Sequence, residues 1–395
     1  MVYLVYIIKF SVLNSQLSNR INQLMKFNHI ILITQDFPPD AGGIQTWCVE
    51  LSKNFANSGT KVTVLTKSYD GFVTEPFVYE KIEVIRLPHK NWKKDKNKLC
   101  LKELKRCVTK DSIILSSNWK MGVPAYFYNY FHSIPYFVVC HGLDAVEYRK
   151  ANKILQKRVF KKSAASIAVS SYTKRFMYEN DIKSTIHVIN NGVDLNLYSK
   201  VKPSEAVLKK YQIDRSKFNL LNVGRLEERK GFDYTISAIK DIENVLFHIG
   251  GTGKYEKALN KLVDELDLRD KVIFHGFIPD EDMNELFNAV DLFVMPSRQV
   301  GHSVEGFGIT YLEAAACGTP SIGGKNSGAA DAIEDGKSGL LINSDSVDSI
   351  RDGIQYLIDN PNRLLEMGEY AKERAKSFTW KIIADKFVEL FNNKL

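Results

Sequence analysis

Cysteine is scarce in this sequence, and its spacing suits neither a metal site nor a redox site. The 395 residues include five cysteines and eight histidines. No two cysteines are separated by two residues and no two histidines by three, which excludes the spacings of zinc ribbons and thioredoxin-like motifs. A small, odd number of scattered cysteines is typical of a reduced protein and predicts a cytoplasmic location.

The sequence also lacks a hydrophobic run of membrane-spanning length. The apolar stretch at its start, residues 1–13, falls short of the roughly 20 residues that a membrane-spanning helix needs. It has no basic leading segment and no small-x-small cleavage site, so it does not match a signal peptide. We therefore expect residues 1–24 to be an extension outside the core, with the fold beginning near Met25.

The composition is that of a soluble globular protein, with 44% hydrophobic and 25% charged residues. At about 150 residues per domain, the length predicts two domains. The net charge of +8 is uneven: residues 1–205 hold 30 Lys and Arg against 16 Asp and Glu, and the remainder holds 24 against 30. A basic half favours an anionic partner. The other half is acidic and no nucleic-acid reader motif occurs, so we do not expect nucleic acid to bind.

The densest positive charge lies between Lys90 and Arg106, where Trp92 and Leu99 are interspersed among lysines. One interpretation is a solvated loop and helix face. The alternative is peripheral docking on an anionic membrane, at its inner face, because each clustered lysine near such a surface contributes roughly 1 kcal/mol.

Short β-branched runs alternate with helical patterns from residue 28 onward. The first series of predicted strands covers 29–34, 61–66, 82–87, 112–115, 136–140 and 166–169. After a polar segment, a second series covers 219–224, 245–249, 271–275, 291–295, 320–322 and 339–342. This alternation predicts an α/β fold with two Rossmann-like parallel-sheet domains, residues 25–203 and 204–379. Such sheets bind ligands at the carboxyl ends of their strands, so we expect the domains to face a central cleft.

A glycine-rich turn at residues 250–254 fits neither nucleotide-binding fingerprint. The P-loop places Ser or Thr after its lysine, whereas Tyr255 follows here, and the dinucleotide motif lacks its third glycine. The pattern of an NAD-dependent dehydrogenase is therefore excluded, and a tight strand-to-helix turn near a nucleotide is the interpretation that fits.

Two cations follow the first strand of the second series. That strand ends at Gly224, and a short loop before Gly231 then presents Arg225 and Lys230. Arginine offers a planar fork and lysine a mobile point charge, and both suit phosphate oxygens. We expect this pair to hold a diphosphate, with surface charges in a polar loop as the alternative.

A third cluster joins a carboxylate to a predicted helix start. Glu305 precedes two glycines and residues 309–317 have a helical pattern, so the amides of residues 306–309 would form an anion site. Glu305 and Glu313 are eight residues apart, about two helical turns, which predicts that both point along one face. One could reach a sugar hydroxyl and the other a ribose. The alternative is an ordinary helix start with an acidic first turn.

The Glu-x7-Glu pair at Glu305 and Glu313, with Arg225 and Lys230 upstream, resembles glycosyltransferase family 4. Further segments of the same pattern are 36–39, 42–43, 141–142, 190–194, 314–320, 328–331 and 335–339. The resemblance covers the chain from Met25 to the end. It implies the two-domain GT-B fold, retention of the anomeric configuration, no obligatory metal, and no cofactor beyond the nucleotide sugar. It also implies that the C-terminal helix, 380–395, packs back on the first domain.

The resemblance implies four catalytic residues. Arg225 and Lys230 would neutralise the departing diphosphate, and Glu305 would bind sugar hydroxyls. His141 would lie over the sugar near its 6-hydroxyl, with a cap on the preceding strand as the alternative role. No second carboxylate is placed as a nucleophile, so front-face attack by the acceptor is the expected mechanism.

The resemblance also implies a set of donor-binding residues. Gly43 would approach the donor phosphate through its backbone, Glu313 would bind the ribose, and Ile278 would contact the base through its backbone. The backbone amides on phosphate would belong to Gly306, Phe307, Gly308 and Ile309.

The segments around this glutamate pair are similar to those of GDP-mannose-dependent phosphatidylinositol mannosyltransferases. This similarity implies GDP-mannose as the donor, with a UDP-hexose as the alternative. Asp280 could accept a hydrogen bond from the guanine amino group, but its segment fits UDP-sugar enzymes equally well. The expected acceptor is a glycan or lipid-linked sugar of cell-surface polysaccharide or glycolipid synthesis. A non-catalytic glycan-binding relative is the further alternative.

Overall fold

The computed structural model describes residues 26–40, 42–69, 77–88, 90 and 92–395. The predicted extension at residues 1–24 lies outside the described residues. Within them the chain forms two sheets that are packed between helices, as the alternating pattern predicts.

The first sheet has the order β3-β4-β2-β1-β5-β6-β7-β8 among the described residues, and its neighbours are parallel except for the antiparallel pair β3 and β4. Its strands are β1 His29–Ile33, β2 Lys61–Lys67, β3 Phe77–Tyr79, β4 Ile82–Leu87, β5 Ser112–Ser116, β6 Tyr136–Cys140, β7 Ala165–Ala168 and β8 Ile186–Val188. The helices between them are α1 Gly43–Asn57, α2 Trp92–Cys107, α3 Trp119–His132, α4 Lys150–Lys162 and α5 Ser171–Glu179.

The second sheet has the order β11-β10-β9-β12-β13-β14 in the described part of the chain, and all its pairs are parallel. Its strands are β9 Phe218–Val223, β10 Val245–Gly250, β11 Val272–Gly276, β12 Leu292–Met295, β13 Ser321–Gly324 and β14 Gly339–Ile342. The helices from here on are α6 Glu205–Lys210, α7 Phe232–Ala238, α8 Glu256–Glu265, α9 Asp280–Ala289, α10 Ile309–Ala316, α11 Ala329–Ala332, α12 Val347–Asp359, α13 Pro361–Ala375 and α14 Trp380–Lys394.

Both faces of each sheet are buried, which explains why the strands are continuous apolar runs. In β1, Ile30 and Leu32 belong to one hydrophobic core, and the alternate residues Ile31 and Ile33 belong to another. The two short strands β3 and β8 were not predicted. Each has three residues, too few for a periodic pattern to stand out from the flanking sequence.

The chain passes from the first sheet to the second near Val193 and returns near Trp380. The Val193 amide donates a hydrogen bond to the Phe378 carbonyl oxygen at 2.8 Å, so the two crossings lie side by side. Helix α14 then packs on the first domain, where the Phe391 ring lies 4.4 Å from Phe137 and 5.7 Å from Phe27 between centroids.

The described helices fall short of the requirements of a membrane span. None of them combines the length and the apolar character that crossing a bilayer demands.

Candidate active site

A cleft of about 710 Å³ lies between the two domains, where the carboxyl ends of the parallel strands meet. Loops that follow β1, β5 and β6 form one wall, and loops that follow β9 and β12 form the other. Eight residues predicted from the sequence line it: Gly43, His141, Arg225, Glu305, Gly306, Phe307, Gly308 and Ile309. Lys230, Ile278 and Glu313 are not among its lining residues.

A chain of alternating charges runs along the wall that follows β9. The Arg225 side chain is 75% exposed, and its Nη1 atom lies 3.0 Å from one carboxylate oxygen of Glu227. The other oxygen of Glu227 lies 3.0 Å from Nε of Arg229, which is largely buried. Glu227 therefore bridges two guanidinium groups inside the cleft.

Glu305 continues this chain from the wall that follows β12. Its carboxylate oxygen Oε2 accepts a hydrogen bond from Arg229 Nη1 at 2.5 Å and lies 3.8 Å from Lys230 Nζ. Burial alone would raise the pKa of Glu305, but the charges of Arg229 and Lys230 outweigh it and hold that pKa below its ordinary value. Glu305 is thus an ionised carboxylate at neutral pH.

Lys230 lies behind Glu305 rather than on the surface of the cleft. It is 9% exposed, and its Nζ atom is 3.4 Å from the Met295 sulfur. A Cβ at Gly224 would lie 2.5 Å from the same Nζ, so a glycine there makes room for the ammonium group. Burial lowers the pKa of Lys230, and the carboxylate of Glu305 opposes that shift.

His141 follows β6 directly and faces the cleft. Its ring packs edge-on against Trp47 with 5.1 Å between centroids, and its amide donates to Asp144 Oδ1 at 2.8 Å. Burial lowers the pKa of His141 to about 4, and a hydrogen bond with the Ser117 backbone opposes the shift. Its Nε2 atom is buried without a hydrogen-bond partner among the described residues. The ring is therefore neutral, with one nitrogen available to a ligand.

Two helix N-termini open onto the cleft from opposite domains. Helix α1 begins at Gly43 and helix α10 at Ile309, and no side chain caps either helix. A Cβ on Gly43 would lie 3.9 Å from Ile309 Cδ1, so the two helix starts face each other. Each helix start carries a partial positive charge, and together they suit an anion between the domains.

The two domains touch at Gly306, on the edge of the cleft. The Gly306 carbonyl accepts hydrogen bonds from Ser170 Oγ at 2.6 Å and from Thr173 Oγ1 at 3.1 Å. A Cβ on Gly306 would lie 1.8 Å from the His141 carbonyl oxygen. Backbone therefore meets backbone here, and any side chain would prevent this approach.

A second contact between the domains lies beside the first. Asp331 Oδ2 accepts hydrogen bonds at 2.9 Å from both the Ser171 amide and Asn190 Nδ2. Ser171 is the first residue of helix α5, so a carboxylate of one domain caps a helix N-terminus of the other.

Helix α10 also corrects one geometric expectation. Glu305 lies in the loop before the helix, which begins at Ile309, so helical periodicity does not place Glu305 and Glu313 on one face. Glu313 lies on α10, away from the cleft lining, and burial together with the Asp280 charge raises its pKa to about 7. Ile278 is 5% exposed and packs against Gly250, where a Cβ would lie 2.3 Å from its Cδ1.

Several cleft residues received no role from the sequence, although the family-like segments 36–39 and 190–194 contain two of them. Glu227 and Arg229 stand in the segment already chosen for its cations, and their alternating charges were the available signal. Asp36 and Asn191 each have a buried side-chain oxygen without a hydrogen-bond partner in the described part of the chain. Burial and the nearby Asp40 carboxylate raise the pKa of Asp36.

Within the described residues, no group of three or more His, Cys, Asp and Glu side chains could hold a metal ion.

Comparison with protein families assigns both domains. Residues 41–197 match the family model described as Glycosyltransferase Family 4, and residues 204–374 match the model described as Glycosyl transferases group 1.

Individual proteins that resemble this chain share roughly a quarter to a third of the aligned residues with it. A GDP-mannose-dependent alpha-(1-6)-phosphatidylinositol monomannoside mannosyltransferase of Mycolicibacterium smegmatis is 29% identical over 57% of this chain and 61% of its own length. The chain thus spans about three fifths of the mannosyltransferases that it matches. A D-inositol 3-phosphate glycosyltransferase of Corynebacterium aurimucosum is 24% identical over 92% of this chain and 94% of its own length.

Solved structures share the fold. Sucrose-phosphate synthase from Thermosynechococcus elongatus has a TM-score of 0.79 and 21% identity, covering 93% of this chain and 98% of that chain. Anabaena HepE, solved with UDP and glucose, has a TM-score of 0.76 and 19% identity, covering 92% and 99%. The predicted pair of parallel-sheet domains in the GT-B arrangement is confirmed.

Replacing Gly306 with alanine should weaken the contact between the domains. The added Cβ would lie 1.8 Å from a backbone oxygen, so the loop must move and the Ser170 and Thr173 hydrogen bonds lengthen. We expect the free energy of unfolding, measured by urea titration, to fall by about 2–3 kcal/mol.

Gly43→Ala is the matched control, because its Cβ would have 3.9 Å of clearance from the nearest atom. Its free energy of unfolding should stay within about 0.5 kcal/mol of the unmodified protein. Equal stability of the Gly306→Ala variant would contradict the close backbone contact.

Proposed function

Because the chain belongs to the glycosyltransferases, with a family 4 domain followed by a group 1 domain, we propose that it transfers a hexose from a nucleotide-diphosphate sugar to a glycan or lipid-linked acceptor. One observation carries the proposal. Arg225, Arg229, Glu305 and the starts of helices α1 and α10 converge on one cleft between the two domains. Such a site can bind a diphosphate on cations and amides while a carboxylate holds sugar hydroxyls.

Cleavage of a sugar–phosphate bond places growing negative charge on the departing diphosphate. In this proposal Arg225 and Lys230 supply positive charge, and the helix starts at Gly43 and at residues 306–309 supply oriented amides. The buried Lys230 and the two helix starts are held in place by the fold before the reaction, so little reorganisation of these groups is needed as the charge develops. The proposal assigns this neutralisation to the protein and requires no metal ion.

The sugar would lie between Glu305 and His141. Glu305 is ionised and accepts hydrogen bonds from sugar hydroxyls, while the neutral His141 ring offers Nε2 to a hydroxyl. The acceptor oxygen bonds to the anomeric carbon on the face from which the diphosphate departs. The bond from that carbon to the phosphate oxygen breaks, and the acceptor proton passes to the departing oxygen. Configuration at the anomeric carbon is therefore retained.

The nucleoside would lie beyond the diphosphate, toward α9 and α10. We assign the ribose to Glu313 and a backbone contact with the base to Ile278. Asp280 begins helix α9 just after Ile278, where it could accept from the guanine amino group. GDP-mannose is the proposed donor, supported by the names of the mannosyltransferase relatives. A UDP-hexose is the second candidate, since that nucleotide occupies the structure of Anabaena HepE.

Calorimetry with GDP and with UDP tests the donor. We expect GDP to bind at least tenfold more tightly than UDP, which is roughly 1.4 kcal/mol of preference for the base. Tighter binding of UDP would reverse the donor assignment. Failure of both to bind would contradict the proposed function. Transfer to an extracted acceptor, followed by product mass, distinguishes an enzyme from a non-catalytic glycan-binding relative.

Alanine at Arg225 or Lys230 should lower turnover by at least about a hundredfold. Loss of one preorganised charge-stabilising group typically raises a barrier by roughly 3–4 kcal/mol. The measurement is kcat with saturating donor, in buffer containing EDTA, on variants whose thermal unfolding matches the unmodified protein.

Arg351→Ala and Lys257→Ala are the matched controls, because both side chains lie on exposed helix surfaces of the second domain. Near-normal turnover of the Arg225 or Lys230 variant would contradict the assigned role.

We also propose that the first domain contacts an anionic membrane, where a lipid-linked acceptor is reached. Helix α3 packs against both α2 and α4. Its last turns expose Phe127, Tyr130 and Phe131, with 41%, 75% and 73% of their surface accessible. These three residues are called the aromatic ridge here. Tyrosine favours the level of the lipid headgroups, and phenylalanine favours the boundary between headgroups and acyl chains just below it.

Cations flank the aromatic ridge on both sides. Exposed lysines of α2 are spaced by four, four and three residues, which places them on one face of the helix: Lys94, Lys98, Lys102 and Lys105. Exposed cations of α4 are Lys150, Lys153, Arg158, Lys161 and Lys162. Trp92 is 9% exposed, so it does not belong to this surface. A ridge of aromatic rings between basic stripes complements an anionic bilayer.

Vesicle sedimentation tests the membrane contact. The protein should bind vesicles made of phosphatidylglycerol and phosphatidylcholine in equal parts more tightly than pure phosphatidylcholine vesicles. Tyr130→Ser combined with Phe131→Ser should weaken that binding by about tenfold, as should Lys98→Gln combined with Lys102→Gln.

Leu365→Ser, at an exposed position of the second domain, is the control and should bind as the unmodified protein does. Calorimetry with GDP should give the same affinity in every variant, which separates this contact from the donor site. Absence of binding, or equal binding to both vesicle types, would contradict the membrane contact.

A further inference from the structure

A carboxylate stands among the cations to which the donor diphosphate is assigned. Glu227 lines the cleft and places one oxygen 3.0 Å from Arg225 Nη1 and the other 3.0 Å from Arg229 Nε. A carboxylate that bridges two guanidinium groups makes the same charge-assisted contacts that two phosphate oxygens would make.

The two arginines differ in how firmly they are held. Arg229 is fixed on its other side by Glu305 at 2.5 Å, and its side chain is 11% exposed. Arg225 has a side chain that is 75% exposed. Exposed ion pairs contribute little to stability, so moving Arg225 from Glu227 to a phosphate costs little free energy.

We propose that Glu227 competes with the donor phosphates for Arg225 and Arg229, and thereby weakens the binding of the nucleoside diphosphate. The inference rests on the proposed function, because it takes the donor diphosphate as the ligand of Arg225 and adds Arg229, which lines the same cleft, as a second contact. Binding energy that donor and transition state share does not accelerate the chemical step. A competing carboxylate therefore loosens the product diphosphate without removing a group that acts on the sugar.

The adjacent residue provides a matched control. Glu228 has the same side chain, but it lies 3.7 Å from Arg298 with half of its side chain exposed, and it is not among the residues that line the cleft. The backbone turns through a short 3-10 helix at Glu228–Lys230, so neighbouring glutamates face different surroundings.

The experiment compares Glu227→Gln with Glu228→Gln by calorimetry. Titrants are GDP and guanosine, with UDP and uridine in parallel. Glu227→Gln should bind the diphosphate about threefold to tenfold more tightly, because the competing charge is removed while size and hydrogen bonding remain similar. Affinity for the uncharged nucleoside should not change, and Glu228→Gln should bind both as the unmodified protein does.

Placing Glu227→Gln in an Arg225→Ala background provides a second readout. The gain in diphosphate affinity should shrink there, because one of the two cations that Glu227 occupies is gone. Unchanged or weaker diphosphate binding by Glu227→Gln would overturn the inference, as would an equal gain for the nucleoside. Failure of the unmodified protein to bind any nucleoside diphosphate would instead overturn the proposed function.

Discussion

The candidate site depends on the pairing of charges that the fold withdraws from water. Glu305 and Arg229 are both largely buried, and either one without its partner would be strongly destabilising. Their pairing requires the loop after β9 to meet the loop after β12. These strands are neighbours in the sheet even though some 70 residues separate them in the chain, since β12 pairs directly with β9. The parallel topology therefore brings the two charged loops together at one edge.

The two walls of the cleft are joined by a contact of backbone with backbone. Gly306 carries no side chain, so its carbonyl reaches the hydroxyls of Ser170 and Thr173, and its Cα approaches the His141 carbonyl. Beside this contact, His141 from the first domain and Glu305 from the second line the same cleft. The site therefore needs residues of both domains. The hydrogen bonds of Gly306 and Asp331 across the interface fix the distance between the domains.

Much of the fold could be predicted from the sequence because strands that are buried on both faces must be apolar. Every run of β-branched residues selected on that basis became a strand. The candidate site could be predicted where a motif follows the end of a strand, as with Arg225 after β9 and His141 after β6. The site was harder to predict where the direction of a side chain decides whether the residue faces the cleft. Sequence alone does not tell that Glu227 and Arg229 face the cleft while Glu228 faces Arg298, because the turn after Gly224 fixes those directions.

The same turn places Arg225 and Lys230 in different environments, although the sequence predicts one role for both. Arg225 is open to water, so its field is screened and its contribution depends on contact with a ligand. Lys230 is buried behind Glu305, where screening is weak and its charge acts through a low-dielectric medium. Burial lowers the pKa of Lys230, and the carboxylate of Glu305 offsets part of that shift. Lys230 and Glu305 consequently maintain each other's ionisation, and a substitution at either position changes the electrostatics of both. Arg225, by contrast, can exchange partners without disturbing the buried pair.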